Sequence, residues 1–249
     1  VNDFQEEVCR LRFLKIFLDV RMGYRIILLI LILWFAHKKL VTPWKIRYVT
    51  DNVWEQKHFF DESSYIAKGV LTPEFCNKLI DISRNLTYSK SNEPVDKEPV
   101  YQIDIFHGTK VIHEKLWNIC KDIYYKHRVN DSNRDFMFLK RYLPEERVRI
   151  PLHFDTCKYT ISFLLSDTDS FQGCQYYMFD KNTSAIVKEI SKCEIKVRDD
   201  FIENYNNLPI IDYQQGDMIK FDAKTHYHGT LPLTGGERYL LTIFYDKPS

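Results

Sequence analysis

No charge of one sign dominates this chain. Its 35 Lys and Arg stand against 34 Asp and Glu, a formal net charge of +1, so the basic excess of a nucleic-acid binder is missing and no nucleic-acid partner is expected. No CxxC pair occurs among Cys9, Cys76, Cys120, Cys157, Cys174 and Cys193, which excludes a zinc ribbon and a thioredoxin-type redox motif. Beyond Pro43 there is no Gly-, Pro- or Ser-rich linker and no internal repeat, so residues 43–249 read as one domain. Also lacking is a run of about 20 apolar residues, the length that spans a bilayer as a helix. The longest run, Ile26 to Ala36 in "MGYRIILLILILWFAHKK", is shorter and lies between Arg25 and the pair Lys38 and Lys39.

That run suits the apolar region of a secretory signal or a retained signal anchor, with a buried helix as the plainer alternative. Residues 1–42 are therefore set apart as an N-terminal extension. It would send the chain to the secretory pathway, into the endoplasmic reticulum lumen or onto its membrane. The first residue is Val1, which leaves Met22 as an alternative start. Sequons at Asn85, Asn130 and Asn182 fit a lumenal location. Five cysteines follow the apolar run, an odd number, so at least one stays a thiol or pairs with another chain.

What is present is core-forming sequence, 45 % apolar and 15 % aromatic. In "GVLTPEFCNKLIDIS", Thr72 can cap a helix whose first position takes Pro73, with Glu74 at the positive end of the dipole. Phe75, Leu79 and Ile82 recur at helical spacing. A second helix is expected in "VIHEKLWNICKDIYYKH", with Leu116, Ile119 and Ile123 on one stripe. The polar "SKSNEPVDKEP" between them reads as a mobile surface loop. From Phe136 the pattern changes to short β-branched and aromatic runs: "FMFLKRY", "YTISFLL", "CQYYMF", "DMIKFD" and "RYLLTIFY". Gly216–Asp217 and Gly235–Gly236 read as turns before the last strands. Helices first and strands after give an α+β fold whose β part is a sandwich, jelly roll or barrel.

"LPEERVRIPLHFDTCKYTISF" places His153 and Asp155 two positions apart in a run that otherwise reads as strand, so both side chains share a face. With His226 or His228 of "THYHGTLPLTGGERY", they make two histidines and a carboxylate, the facial set of non-haem Fe(II), which leaves coordination positions open. Arg238 follows His228 by ten positions in an otherwise apolar strand. A guanidinium inside a barrel needs a carboxylate partner, and none follows until Asp246. A carboxylate-bearing cosubstrate would supply one.

Residues 136–248 resemble the catalytic domain of the 2-oxoglutarate- and Fe(II)-dependent dioxygenases of the prolyl 4-hydroxylase superfamily, and within it the procollagen lysyl hydroxylases. The resemblance is carried by "RYLPEERVRIPLHFD", "CKYTISFLLS", "FQGCQYYMFD" and "GDMIKFDAKTHYHGTLPLTGGERYLLTIFYDKP". It implies a double-stranded β-helix (jelly roll) with flanking N-terminal helices. His153, Asp155 and His228 become the iron ligands, with His226 as fallback or neighbour, and Arg238 the clamp on the distal carboxylate of 2-oxoglutarate. Tyr142 and Thr160 fall near that cosubstrate, and Cys174 near the cavity mouth or as a buried thiol. The implied cofactors are Fe(II), 2-oxoglutarate and O2, with ascorbate. The implied reaction hydroxylates a peptidyl lysine or proline of a protein substrate, and 2-oxoglutarate leaves as succinate. A membrane attachment through the N-terminal segment and a homodimer stay open. The chain departs from the family in "FQGC", where a glycine run is usual, and in lacking room for upstream glycosyltransferase regions. The alternatives are another side chain or a small molecule as substrate, a cupin-type site for zinc or manganese, and a membrane-anchored binding subunit without turnover.

Overall fold

The computed structural model describes residues 64–128, 133–180 and 183–246, all within the second of the two units, 52–249, into which the chain divides. The expected signal or anchor run, Cys9 and the sequons at Asn130 and Asn182 lie outside the described residues. Among the described residues no helix is long and apolar enough to cross a membrane.

The fold mixes helices with antiparallel sheet. One sheet has the order β1 (Tyr65–Ala67), β9 (Met218–Asp222), β6 (Tyr159–Leu164), β12 (Arg238–Tyr245), β5 (Phe136–Tyr142), β3 (Pro99–His107) and β2 (Ser89–Asn92), with β4 (Lys110–Val111) on β3. Two short pairs stand apart from it. One joins β10 (His228–Thr230) to β8 (Tyr176–Met178), the other β11 (Leu233–Gly236) to β7 (Phe171–Gly173).

The strand runs expected from Phe136 onward are found, but helices do not simply precede strands. Four strands lie N-terminal to Phe136, interleaved with α1 (Pro73–Arg84) and α2 (Glu114–His127). The longest of them, β3, carries Val100, Ile103, Ile105 and Phe106 inward. Two further helices, α3 (Ser184–Ser191) and α4 (Ile195–Glu203), are inserted between β8 and β9.

Thr72 caps α1 as its sequence predicts, its Oγ1 accepting from Phe75 N at 3.3 Å, with Pro73 in the first turn. The buried faces are rotated from the expected stripes. In α1 they are Cys76, Leu79, Ile80 and Ser83, and in α2 Leu116, Cys120 and Tyr124. Small thiols and a tyrosine ring fill the closest approach to the sheet, while Phe75, Ile82, Ile119 and Ile123 pack at its margins.

Strand alternation divides the core into two layers. Met137 and Leu139 of β5, Ile161 and Phe163 of β6, and Leu241 and Ile243 of β12 pack against Leu79, Leu116, Cys120 and Tyr124 of the two helices. The opposite face of the same strands carries Tyr142, Leu164 and Leu240, packed against Tyr176, Met178 and Leu233 of the short strands and against Cys174 between β7 and β8. The large sheet and the short pairs thus enclose a common interior.

Gly216, at φ +81°, makes the turn into β9 as expected; a Cβ there would lie 2.1 Å from Leu71 O. Gly235 and Gly236 end β11, beside a register shift against β7, rather than forming a free turn.

Candidate metal centre

His153 does not sit in a regular strand. Residues 143–158 run irregularly across the end of the interior, and His153 is held only by an isolated antiparallel bridge to His228. Each backbone N–H of the pair donates to the other's carbonyl at 2.9 Å. These two hydrogen bonds set two residues 75 positions apart side by side, with ring centroids 4.3 Å apart. Gly229 makes the approach feasible, since a Cβ there would lie 2.3 Å from Tyr177 Oη and 2.9 Å from Ile150 O.

His153, Asp155 and His228 each present one ligand atom, all within 4.8 Å of one another. His153 Nε2 lies 3.4 Å from Asp155 Oδ1, and His228 Nε2 lies 3.6 Å from Asp155 Oδ2. The outer ring nitrogens are engaged elsewhere: His153 Nδ1 with Pro151 O at 2.8 Å, and His228 Nδ1 with His226 O at 3.0 Å. A carbonyl can only accept, so each Nδ1 carries a proton and each Nε2 is left facing the Asp155 carboxylate. Thr160 Oγ1 donates to Asp155 Oδ2 at 2.5 Å and fixes the carboxylate plane.

Electrostatics bear on His228 and Asp155. Burial pushes the His228 imidazole down to about 4, with the neighbouring His153 adding to the effect. For Asp155, burial pushes upward, but His228, His153 and the Thr160 hydroxyl outweigh it and hold the carboxyl well below its usual range. Two imidazoles and one ionised carboxylate on one side of an open cavity fit a divalent ion such as Fe(II). These three residues would hold it.

The remaining expected residues are placed as follows. His226 lies outside the cluster of His153, Asp155 and His228. It is buried, with Nδ1 3.0 Å from Asp222 O and Thr225 Oγ1, and it serves the site through its carbonyl, which orients His228. Thr160 reaches Asp155 and lines the triad cavity. Tyr142 lines the triad cavity, and burial raises its pKa and keeps its phenol a donor. Cys174 lies away from any mouth, buried beside Arg238. Cys76, Cys120, Cys157, Cys174 and Cys193 are all free thiols.

Arg238 is 1 % exposed. Its guanidinium lies 5.6 Å above the Tyr142 ring and 6.0 Å from that of Phe171, and Nη1 reaches Cys174 Sγ at 3.7 Å. Nε has no hydrogen-bond partner, and no ion pair joins Arg238 to a carboxylate among the described residues. The triad opens on a cavity of about 350 Å³, and Arg238 lines a second one of about 620 Å³. Tyr176 lines both, and its ring stacks on His228 at 5.5 Å. Burial, followed by the Asp155 carboxylate, raises the Tyr176 pKa well above that of a free phenol.

The expected surface loop is a different object. Ser89–Asn92 forms an edge strand, and the turn after it folds over the triad cavity, contributing Glu93, Pro94 and Val95 to its wall. Glu93 Oε2 pairs with Lys140 Nζ at 3.1 Å, and Asp96 Oδ2 with Arg147 Nη2 at 2.7 Å. Arg198 of α4 donates to Val95 O at 3.1 Å. Sequence reading missed this wall. The signal was Lys140 itself, in register with Phe138 and Tyr142 on an inward-facing stripe where a charge needs a partner.

No protein-family model matches the chain, and no curated protein matches it. Solved structures similar to it include a prolyl-4-hydroxylase from Pseudomonas putida, 13 % identical over 81 % of this chain and 98 % of that one, with a TM-score of 0.45. A prolyl hydroxylase from Trichoplax adhaerens, in complex with a hypoxia inducible factor oxygen degradation domain peptide, is 10 % identical over 84 % and 92 %, at 0.47. HygX from Streptomyces hygroscopicus, with nickel and 2-oxoglutarate bound, is 11 % identical over 74 % and 83 %, also at 0.47.

Proposed function

We propose that the protein is a 2-oxoglutarate-dependent Fe(II) dioxygenase that hydroxylates a lysine or proline side chain of a peptide, on a double-stranded β-helix formed by the large sheet and the short pairs. The observation that carries this reading is the pairing of two features that line separate cavities with Tyr176 in the wall of both. One is a His–Asp–His set with an ionised carboxylate, and the other is a buried arginine with no carboxylate partner among the described residues. A cupin-type zinc or manganese site would use the first and leave the second unexplained. A binding subunit without turnover would have use for neither.

Iron held by His153, Asp155 and His228, with 2-oxoglutarate and O2, supplies the oxidising power for C–H hydroxylation, with succinate and CO2 as coproducts. The chain's own residues bind and orient. Arg238 offers a dry, charge-assisted fork to the distal carboxylate, on the ring of Tyr142. The carbonyls of Pro151 and His226 fix the imidazole tautomers, and Thr160 fixes Asp155. Phe138, Leu240 and Phe244 of the wall exclude water from the reacting space. The apolar run Ile26–Ala36 and the sequons support a secretory-pathway location for this activity.

The test is succinate release from 2-oxoglutarate by the full chain, loaded anaerobically with Fe(II) and then given O2. It is run with lysine- and proline-containing peptides beside the Asp155→Ala variant. Succinate that rises with a peptide and disappears in the variant is expected. Succinate release unaffected by Asp155→Ala would remove the triad from the reaction.

A further inference from the structure

Lys140 and Arg238 are both buried cations on the interior side of the sheet, and a cosubstrate carboxylate accounts for Arg238. Lys140 lies two positions before Tyr142 on the same face of β5 and lines the triad cavity itself. Its backbone is fixed between neighbours on both sides, opposite Leu240 of β12 and Gln102 of β3. Its side chain is only 10 % exposed, and its partner Glu93 is 16 % exposed. The two charges differ in how they are mounted. The ammonium belongs to a central strand, whereas the carboxylate is delivered by an irregular turn after an edge strand, fastened by Arg147 and Arg198.

A buried lysine on a strand whose neighbours are Phe138 and Leu240 costs desolvation that an apolar residue would avoid. The pair also stands in the wrong place for a purely structural bridge, since Glu93, Pro94 and Val95 fill part of the wall beside His153 and Asp155. We propose that Lys140 is the receptor for a carboxylate on the substrate, and that Glu93 is a tethered carboxylate that holds this receptor until the substrate displaces it. The inference rests on the dioxygenase reading and deepens it. The substrate class is one with an acidic group close to the carbon that reacts, either an acidic side chain in a peptide or the free carboxylate of a small amino-acid derivative. Displacement of Glu93 loosens the turn over the cavity, so substrate binding and opening of this wall are one event.

The test uses the full chain loaded with Co(II), with N-oxalylglycine in the cosubstrate position, and reads the visible absorption of the metal. The probes are N-acetylproline against N-acetylprolinamide, and end-capped Pro-Glu, Pro-Gln and Pro-Lys dipeptides. Carboxylate members are expected to perturb the spectrum at lower concentration than their amide counterparts. The Glu93→Gln variant should strengthen carboxylate binding about tenfold and leave the amides unmoved, while Lys140→Met should erase the difference. Preference for N-acetylproline identifies a free carboxylate as the source, and preference for Pro-Glu an acidic side chain. Equal response to carboxylate and amide in both the wild type and Glu93→Gln, or no response to any probe, overturns the inference. Glu93 lies on the turn, so that variant leaves the barrel strands intact even if Lys140→Met folds poorly. A Co(II) spectrum that Asp155→Ala leaves unchanged would overturn the dioxygenase reading, and this inference with it. A Co(II) spectrum lost in that variant confines any failure to the carboxylate receptor.

Discussion

The two faces of β5, β6 and β12 are built from the same backbone and differ in nearly everything else. Toward α1 and α2 the strands present Met137, Leu139, Ile161, Phe163, Leu241 and Ile243, a continuous apolar layer. Toward the interior they present the buried Lys140, Tyr142, Thr160, Ser162, Arg238 and Thr242, interspersed with Phe138, Leu164, Leu240 and Phe244. The first face is what a sheet needs in order to fold. The second spends burial on groups that satisfy one another only in part: Ser162 and Thr242 meet at 3.3 Å and Lys140 meets Glu93, but Arg238 meets no carboxylate. Stability resides on one side of the sheet and chemistry on the other, so substitutions on the two faces should separate the two properties.

The largest effect is expected on the apolar face. Phe163→Ala removes a fully buried ring between the sheet and the helices and should cost about 3–5 kcal/mol in urea unfolding, with metal affinity per folded molecule retained. Loss of metal binding at equal folded fraction would show that the faces are not separable. Arg238→Met reverses the pattern. It should weaken 2-oxoglutarate binding by about 2–5 kcal/mol, while stability stays level or rises because an uncompensated buried charge is gone. Calorimetry with the cosubstrate checks it, and unchanged affinity would show that another group holds the carboxylate.

What could be read from the sequence divides along the same line. The apolar strands from Phe136 onward, the Thr72 cap and the Gly216 turn were legible because each is a local pattern. His153, Asp155, His228 and Arg238 were legible because a histidine pair, a carboxylate and an arginine are out of place among strand residues. The interleaved strands before Phe136 were not, since β3 buries Val100, Ile103, Ile105 and Phe106 without the strict alternation of a half-exposed strand. Nor was the role of "SKSNEPVDKEP". Its polarity describes a loop in isolation, and only Lys140 and Arg147, 47 and 51 residues away, draw its acids inward. The rotated helix stripes had a different origin: the expected stripes run through Phe75, Ile82, Ile119 and Ile123, whereas Cys76 and Cys120, of a type often fully buried, help carry the faces that pack inward.

Acid should break the polar face before the apolar one. His228 titrates near 4 in the folded chain against about 6.5 when unfolded, so between those values the unfolded chain binds more protons and stability rises with pH. Asp155 acts in the same direction at lower pH, because its folded value lies below its unfolded one and its contribution is lost as the carboxylate protonates. The apoprotein should therefore gain about 3 kcal/mol from His228 alone between pH 4 and 6.5, and His228→Gln should flatten that slope. A slope that survives the substitution would assign it to other groups.

The smallest effect tests how finely the polar face is made. Thr160 holds Asp155 Oδ2 at 2.5 Å but is not itself one of the three metal-binding side chains. Thr160→Val keeps the shape of the strand residue and removes the hydroxyl, so the carboxylate is free to rotate and loses one of the groups that keep it ionised. Metal affinity should fall about 10- to 100-fold, as for other partners that orient a ligand. Thr160→Ser, which restores the donor, should recover most of the loss. Failure of serine to rescue would mean that the valine acts through packing against Cys157, whose Sγ lies 3.3 Å from the same hydroxyl, and not through the hydrogen bond. Rescue would show that on this face even a residue that never touches the metal is placed for it.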